Sequence, residues 1–284
     1  MVKKYFKAIR IKNLVLLGLI FWGLMLHNYS ENFSFKLDHL LLFISIIITT
    51  ASGYLINNYY DLDSDKINNK NIKDLSKTFY GNCYLLHLLS SLLILFISDL
   101  SPGWLNLVII THVLVFLYSL KLQHWPIIGN LVVALLCSIV LIIPYWMTGQ
   151  FWELENFNLS ENLNQIFVIF CFLLTIKREI VKDIEDIHGD LKTGSYTLPI
   201  VTGQKFSKVI LGLLVLISIG FLITCILGSI LNIQNIFFFI TMISLLVTFL
   251  YKTYLSLEKS DFKTLSTLLK INFLAAGIWL YILL

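Results

Sequence analysis

The stretch LLLFISIIITTASGYLINNYYDLDSDK, residues 40–66, carries an apolar run directly into two asparagines and three aspartates. Together with the residues just before it, the run is long enough to cross a bilayer, which takes about 20 apolar residues. Carboxylates at the end of a membrane helix are costly unless they face a cavity, a partner or an ion. The stretch therefore predicts a membrane helix with an acidic inner end that needs a physical explanation.

The chain as a whole has the composition of a protein that crosses a membrane many times. Its 284 residues are 57% hydrophobic and 13% charged, with a mean hydropathy of +0.82. These values lie outside the range of soluble domains. Nine apolar runs can serve as membrane spans, at residues 13–29, 37–57, 84–99, 102–120, 127–146, 164–180, 207–228, 231–251 and 264–284. The longest polar stretches remain loops between helices, so we predict a single transmembrane domain over residues 1–284.

The basic residues collect on one side of this nine-helix arrangement. If the N-terminus lies in the cytoplasm, every Lys and Arg except Lys36 falls in a cytoplasmic segment, as the positive-inside rule expects. The long outer loop, residues 147–163, contains three glutamates and no basic residue. The sequence therefore predicts an all-α membrane protein with nine transmembrane helices and a cytoplasmic N-terminus.

The net charge of +4 follows from the same arrangement. Basic inner loops meet anionic membrane lipids, so this excess of Lys and Arg does not indicate a nucleic-acid partner. The frequent use of Lys, Asn and Ile suits a bacterial cytoplasmic membrane, although organelle membranes follow the same topology rule. The sequence leaves the oligomeric state open.

A first acidic group lies at the inner end of the second span. Asn57, Asp61 and Asp65 recur every four residues, so a continued helix would stack them on one face over about 12 Å. Like charges at this spacing repel, and a divalent cation would neutralise them. Ligands that are all oxygen favour Mg²⁺ or Ca²⁺ over zinc. The alternative is a solvated acidic helix end with Lys66 and Lys70 as neighbours.

A second acidic stretch, KREIVKDIEDIHGDLKTGSYTLP at residues 177–199, follows the sixth span on the same inner side. If it is helical, its acids form a stripe at i, i+4, i+7 and i+11. The stripe consists of Glu179, Asp183, Asp186 and Asp190. Because Arg178, Lys182 and Lys192 are interspersed, a helix laced with salt bridges is one explanation.

The pairing of the two acidic stretches favours a shared chemical role. Both close apolar helices at the same membrane level, so they can converge on a metal-bound polyanion, with lysines taking the remaining phosphate charge. A diphosphate attached to a hydrophobic tail fits the charged rim and the apolar helices together. The sequence therefore predicts an enzyme that acts on a lipid diphosphate.

The two stretches resemble the signatures of the UbiA-type intramembrane prenyltransferases. The first signature, N-D-x-x-D-x-x-x-D at the end of the second helix, is matched in register by Asn57, Asn58, Asp61 and Asp65. The second, D-x-x-x-D after the sixth helix, falls on Asp186 and Asp190. Two further segments resemble the family: RIKNLVLLGL, residues 10–19, which places Asn13, and YSLKLQHWPIIGN, residues 118–130.

The resemblance implies a helical bundle around a central cavity, with two Mg²⁺ ions bridging the protein to a prenyl diphosphate. Asp61 and Asp65 would hold the first ion with help from Asn57, and Asp186 and Asp190 would hold the second. Metal and lysine would stabilise the departing diphosphate, so that a hydrophobic or amphiphilic acceptor captures the allylic carbocation.

The resemblance also suggests residues that bind the substrate. These are Asn13, Asn57, Asn58, Lys121, Lys182 and Lys192. Asp183 is a further catalytic candidate that could orient Lys182, carry a metal-bound water or serve as a base for the acceptor. His188 lies between the aspartates of the second signature, where a polar surface histidine and a catalytic one both fit.

Three features depart from the family pattern. Asn58 stands where the family usually has Asp, and the loop after Asp65 lacks the usual Arg-Pro pair. Lys121 lies two positions before the family's lysine, where Gln123 stands instead. These departures leave room for a weakly active or repurposed member.

The acceptor is the least constrained part of the prediction. The segment REIVKDIEDIHGDLKTGSYTLP, residues 178–199, looks most like the branch that transfers geranylgeranyl to geranylgeranylglycerol phosphate, whose nucleophile is a primary hydroxyl. An aromatic quinone precursor is the alternative acceptor. Two alternatives are not prenyltransferases. In a transporter the acids would bind coupling ions, and in a degenerate non-catalytic membrane protein they would only decorate loops. Transport sites usually lie near the bilayer midplane, whereas these acids lie at inner helix ends, which favours catalysis.

Overall fold

A computed structural model describes residues 2–27, 36–67, 75–147, 163–228 and 233–282, and the regular structure in these ranges is helical throughout. The described residues form twelve α-helices and one short 3₁₀ helix, Leu122–His124. The α-helices are α1 (Val2–Ala8), α2 (Ile11–His27), α3 (Leu37–Tyr60), α4 (Leu62–Ile67), α5 (Lys77–Phe96), α6 (Pro102–Leu120), α7 (Ile128–Met147), α8 (Leu163–Lys192), α9 (Leu198–Thr202), α10 (Gln204–Gly228), α11 (Ile233–Leu255) and α12 (Lys259–Ile282).

Each of the nine predicted apolar runs overlaps one of the longer helices. Judged by length and hydropathy within the described ranges, six helices could cross a membrane: α3, α5, α6, α7, α10 and α11. Helices α1 and α2 meet at a bend of 58° and would together add a seventh span. The all-helical membrane character is thus confirmed, whereas nine crossings with a cytoplasmic N-terminus stay a prediction.

The described chain divides into two compact units. The first unit comprises α1, the start of α2, the elements from α3 to the 3₁₀ helix, and the end of α8 with the turn to Ser195. Within it, α3 lies against both α5 and α6. Its buried apolar core consists of Ala8, Ile9, Leu14, Ala51, Leu55, Ile56, Tyr80 and Tyr84. The single domain over residues 1–284 stays a prediction.

Helix α3 meets α5 and α6 in two ways that suit an apolar surrounding. At Gly53, an added Cβ would lie 3.1 Å from Val115 Cγ1, so the missing side chain permits a close approach to α6. A buried polar cluster centres on His112 of α6. Its Nε2 lies 2.8 Å from Ser91 Oγ on α5, and its Nδ1 lies 3.3 Å from Ser52 Oγ on α3. Hydroxyl partners of this kind hold membrane helices together.

The second unit comprises the remainder of α2, α7, α8 as far as Ile187, and α9 to α12. Within it, α11 packs against both α10 and α12. Aromatic rings join three helices: Phe238 of α11 stacks on Trp279 of α12 with ring centroids 5.1 Å apart, and on Phe167 of α8 at 6.4 Å. These rings supply buried apolar contact area, as stacked aromatics do in protein cores.

Candidate functional site

The backbone remains helical where the first signature leaves α3. Asp61 caps α3 with φ −80° and ψ −3°, and its N–H donates to the Asn57 carbonyl at 2.9 Å. The Asp65 N–H in α4 donates in turn to the Asp61 carbonyl at 2.8 Å. The chain therefore continues at helical spacing past Tyr60, as the interval between these residues predicted.

Three side chains of the first unit form a closed hydrogen-bonded group, which we call the amide–carboxylate network: Asn57, Asp61 and Gln123. Asn57 Nδ2 donates to Asp61 Oδ2 at 2.7 Å and to Gln123 Oε1 at 2.8 Å. Gln123 Nε2 donates to Asp61 Oδ1 at 2.8 Å. Both oxygens of the carboxylate are therefore held by amide hydrogens.

Gln123 reaches this network because the chain turns sharply after α6. The 3₁₀ helix places Gln123 next to the end of α6, where its Nε2 also donates to the Ser119 carbonyl at 2.9 Å. A carbonyl oxygen only accepts hydrogen bonds, so the atom facing Ser119 is the nitrogen of the amide. In the sequence, Gln123 is notable only as a departure from the family's lysine. Nothing near it in the chain indicates a partner more than 60 residues away.

The second signature ends beside the first. In the first unit, Ser64 Oγ on α4 donates to Asp190 Oδ1 near the end of α8, at 3.3 Å. Ser64 lies between Asp61 and Asp65 in the chain, so the ends of the two signatures meet here. Asp186 lies one helical turn before Asp190 on α8, as its spacing predicted.

The turn after α8 is attached to the same 3₁₀ helix. The Ser195 N–H donates to the Asp190 carbonyl at 2.9 Å, and Ser195 Oγ lies 2.7 Å from Nδ1 of His124. Burial lowers the pKa of His124, which favours its neutral ring. The residue next to Gln123 therefore holds the segment that carries Asp190.

Two further predicted residues, Asp183 and Lys182, lie in the second unit. Asp183 Oδ2 accepts a hydrogen bond from Asn130 Nδ2 of α7 at 2.9 Å. Lys182 Nζ lies 2.7 Å from Glu179 Oε2, and Arg178 Nη1 lies 2.8 Å from Glu179 Oε1. The explanation of the acidic stripe by salt bridges therefore holds for Glu179. The roles of Asp183 and Lys182 stay predictions.

Asn58 faces a different neighbour from Asn57. It is 6% exposed, and its Nδ2 donates to the Ala8 carbonyl at the end of α1, at 3.0 Å. An aspartate could not donate this hydrogen bond, which gives a structural reason for the departure at position 58. Asn58 thus helps to attach α1 to α3, and its contact with substrate stays a prediction.

The remaining predicted substrate-binding residues are spread over the first unit. Asn13 Nδ2 donates to the Tyr54 hydroxyl at 3.3 Å. Lys121 is exposed, and its Nζ lies 5.4 Å from the centroid of the Trp125 ring. Lys192 is exposed at the last residue of α8. Lys192 thus lies two residues after Asp190, whereas Lys121 lies at the end of α6, two residues before Gln123.

One polar residue that sequence analysis did not single out is Lys177. It is fully buried within the second unit, where its ammonium donates to Ser218 Oγ of α10. Its only sequence signal was a lysine at the inner end of an apolar run. Charged groups buried in membrane helices are rare and costly unless they have a polar partner. The Ser218 hydroxyl supplies that partner and joins α8 to α10.

The oxygen-rich helix ends suit a hard cation in their chemistry. Within the described ranges, however, no three His, Cys, Asp or Glu side chains are gathered closely enough to hold a metal ion. Magnesium is usually bound through one or two carboxylates together with substrate phosphates, rather than in a cage made by protein alone. The carboxylate of Asp61, whose two oxygens accept hydrogen bonds from the amides of Asn57 and Gln123, suits in its chemistry a cation that a substrate phosphate helps to bind.

Comparison with known proteins identifies relatives along the whole chain. The model of the UbiA prenyltransferase family matches residues 16–274. Digeranylgeranylglyceryl phosphate synthase of Methanosphaera stadtmanae is 32% identical over 284 residues, which cover 96% of each chain.

Solved structures share the fold. One that concerns "Digeranylgeranylglyceryl phosphate synthase in membranes" has a TM-score of 0.67 at 24% identity and covers 99% of this chain and 97% of its own. A UbiA homolog from Archaeoglobus fulgidus bound to DMAPP and Mg²⁺ has a TM-score of 0.66 at 17% identity and covers 96% and 98%. The sequence match over most of the chain shows that this protein belongs to the UbiA prenyltransferase family of enzymes.

Proposed function

We propose that this enzyme transfers a prenyl group from a prenyl diphosphate to the hydroxyl of a lipid resembling geranylgeranylglycerol phosphate, and that the reaction depends on Mg²⁺. One observation carries the proposal: the acidic ends of both signatures meet in the first unit through the hydrogen bond from Ser64 to Asp190. Two acidic helix ends that meet beside apolar helices suit a metal-bound diphosphate with a hydrophobic tail.

The relatives support this reaction. The Methanosphaera stadtmanae protein, matched over nearly its whole length, is named digeranylgeranylglyceryl phosphate synthase. The Archaeoglobus fulgidus homolog was solved with DMAPP and Mg²⁺, and a second structure of that homolog with GPP and Mg²⁺. A prenyl diphosphate donor and a divalent cation are therefore the substrates and cofactor we assign to this chain.

In this proposal, two ions bind at the two signatures. Asp61 and Asp65, with Asn57, would hold the first, and Asp186 and Asp190 would hold the second. When bound, magnesium would neutralise the charge that builds on the departing diphosphate. Asn57 orients the Asp61 carboxylate, and Ser64 and the Ser195 turn fix the end of α8.

The chain's other polar residues would then act on the substrates. Lys182 and Lys192, with Lys121 as a further candidate, would offer ammonium groups to the diphosphate, whose oxygens they suit as charge-assisted partners. The acceptor hydroxyl must lose a proton as its oxygen bonds to the allylic carbon. Asp183, whose carboxylate accepts a hydrogen bond from Asn130, would serve as the base that takes this proton, would hold a water beside a bound ion, or would orient Lys182. The apolar helices would keep out water, which otherwise captures the carbocation.

We also propose where the enzyme works. Nine crossings with a cytoplasmic N-terminus would put both signatures at the cytoplasmic face of the membrane. The support is the segregation of Lys and Arg under the positive-inside rule, together with the overlap of every apolar run with a helix.

The test uses the purified full chain in lipid with geranylgeranyl diphosphate and either geranylgeranylglyceryl phosphate or a hydroxybenzoate. We expect diphosphate release and a prenylated glyceryl phosphate in Mg²⁺, and neither product in EDTA. Asp61→Ala should reduce the rate by about 100-fold or more, the loss seen when one electrostatic group of an active site is removed.

Asp63→Ala is the matched control. Asp63 lies in the same acidic segment but is exposed, and it pairs with Lys66 at 3.3 Å. Its activity should remain near that of the unmodified protein. Transfer to the hydroxybenzoate alone would reassign the acceptor to an aromatic ring. Equal activity in Asp61→Ala and the unmodified chain would refute the proposed site.

A further inference from the structure

Helix α1 is attached to the first unit along one of its sides. The Tyr5 hydroxyl lies 2.8 Å from Nε2 of His87 on α5, and the Ala8 carbonyl accepts a hydrogen bond from Asn58 Nδ2 on α3 at 3.0 Å. Ala8 is fully buried, and Ile9, directly after the helix, is 5% exposed. These contacts fix the position of α1 relative to α3 and α5.

The bend between α1 and α2 is held by a contact of its own. Arg10, which lies between the two helices, has φ 53°, a left-handed conformation that residues other than glycine seldom adopt. Its guanidinium carbon lies 4.7 Å from the centroid of the Tyr54 ring on α3, which is a cation–π contact. The two helices meet at 58°. If α2 lies along the bilayer normal, α1 leaves it at an angle nearer to the membrane plane.

The remaining surface of α1 divides into two strips of different chemistry. Successive helical residues are about 100° apart, so the exposed side chains of Lys3, Lys4 and Lys7 share roughly 100° of the circumference and form a basic strip. On the other side of the buried seam, Val2 is 69% exposed and Phe6 is 43% exposed, and these two form an apolar strip. This division is typical of helices that lie in the membrane interface.

Each strip suits a different part of a phospholipid. Lysine side chains can lay their stems along apolar surface while the ammonium groups reach the headgroup phosphates. Each lysine close to an anionic bilayer surface strengthens binding about fivefold. A basic face that only meets water would explain the three lysines, but it would not explain the exposed Val2 and Phe6 beside them. The combination favours a lipid with a net negative headgroup.

We propose that α1 is an interfacial anchor: its basic strip binds the phosphate headgroups of anionic phospholipids, and its apolar strip enters the edge of the hydrocarbon layer. Because Asn58 bonds to the Ala8 carbonyl, the anchor holds the inner end of α3 at the level of the headgroups. The assignment involves no prenyl donor, acceptor or metal, so it stands apart from the proposed function.

The test measures which lipid lies beside α1 in the full-length protein. Phe6→Cys, in a chain whose four native cysteines are replaced, is labelled with the apolar fluorophore NBD. The protein is placed in vesicles of four parts phosphatidylcholine to one part phosphatidylglycerol. A nitroxide near the headgroup end of the acyl chain is carried either by phosphatidylglycerol or by the same amount of phosphatidylcholine, and the quenching of NBD is compared.

We expect labelled phosphatidylglycerol to quench as if it were about fivefold more concentrated beside α1 than labelled phosphatidylcholine. High salt should reduce this preference, because it screens exposed charges. Replacing Lys3, Lys4 and Lys7 together by glutamine should abolish the preference. Replacing the same three by arginine should keep it, because arginine retains the positive charge.

The matched control removes the same charge from elsewhere in the chain. Lys205, Lys252 and Lys263 are exposed lysines of the second unit, and they are replaced together by glutamine. The label at position 6 should then retain its preference for phosphatidylglycerol. If the α1 variant does not insert into the vesicles, Lys7→Gln alone is used, and it should lower the preference part of the way.

Three results would overturn the inference. Equal quenching by the two lipids in the otherwise unmodified chain would mean that the basic strip only meets water. No quenching by either lipid would place α1 outside the membrane interface. A preference that survives in the α1 variant, or that is lost equally in the control variant, would mean that α1 is not the surface that attracts the lipid.

Discussion

Ser64 Oγ donates a hydrogen bond to Asp190 Oδ1 across 3.3 Å, although the two residues are 126 positions apart in the chain. The bond joins α4, which carries Asp65 of the first signature, to the end of α8, which carries the second. Ser64 and Asp190 both belong to the first unit, so within that unit this contact joins the ends of the two acidic motifs.

Removing the Ser64 hydroxyl should weaken the binding of Mg²⁺ more than it lowers the stability of the fold. We expect Ser64→Ala to raise the Mg²⁺ concentration for half-maximal activity several-fold, toward the lower end of the roughly 10–100-fold range, because the 3.3 Å bond is long. Steady-state rates measured over a Mg²⁺ series would show this.

Ser90→Ala serves as the control for that measurement. Ser90 lies on α5, and its hydroxyl bonds to the Leu86 carbonyl of its own helix at 2.7 Å. It should leave the Mg²⁺ dependence unchanged. Identical Mg²⁺ curves for Ser64→Ala and Ser90→Ala would show that the Ser64 contact does not position Asp190.

Restoring the family's aspartate at position 58 should destabilise this chain. Asn58→Asp loses the donor to the Ala8 carbonyl and brings a negative charge to the carbonyl end of α1, which is unfavourable. We expect a loss of about 1–3 kcal/mol in the free energy of unfolding, the cost of a broken buried hydrogen bond. Thermal unfolding of the protein in detergent at neutral pH measures it.

Asn82→Asp makes the same chemical change at an exposed position of α5. Its midpoint of unfolding should stay near that of the unmodified chain. A higher midpoint for Asn58→Asp than for Asn82→Asp would contradict the role given to Asn58.

The sequence predicted those features that depend on local spacing. Asn57, Asp61 and Asp65 follow one another at helical intervals, and the structure keeps these intervals through the end of α3. Asp186 and Asp190 lie on one helix for the same reason. Apolar runs of sufficient length also located the longer helices, because length and hydropathy are properties of the local chain.

Features that depend on distant partners could not be predicted in this way. Successive helical residues point about 100° apart, so Asn57 and Asn58 face different neighbours. Which of them meets Gln123 and which meets Ala8 depends on how α1 and α6 pack on α3. The family's pattern has a lysine at position 123, where this chain has glutamine. The contacts of Gln123 with Asn57 and Asp61 are visible only in the folded chain.

The buried cluster around His112 should stabilise the first unit without taking part in the reaction. His112→Leu leaves the Ser91 and Ser52 hydroxyls without their imidazole partner. We expect a loss of about 1–2 kcal/mol, as for other hydrogen bonds between membrane helices. Thermal unfolding should also show that Ser91→Ala lowers the free energy of unfolding by less when His112 is already leucine. The effects of substitutions at contacting residues are not additive. Fully additive losses would mean that the two side chains act independently.

The nine-span arrangement makes a sharp prediction about the two ends of the chain. An odd number of crossings places the termini on opposite sides, so a reporter at the C-terminus should lie outside and one at the N-terminus inside. Cysteines introduced in place of Lys3 and Glu153, in a chain whose four native cysteines are replaced, extend the test. A membrane-impermeant thiol reagent applied to intact cells should label position 153 and not position 3. Finding both termini on one side would instead require an even number of spans and would contradict the nine-span arrangement.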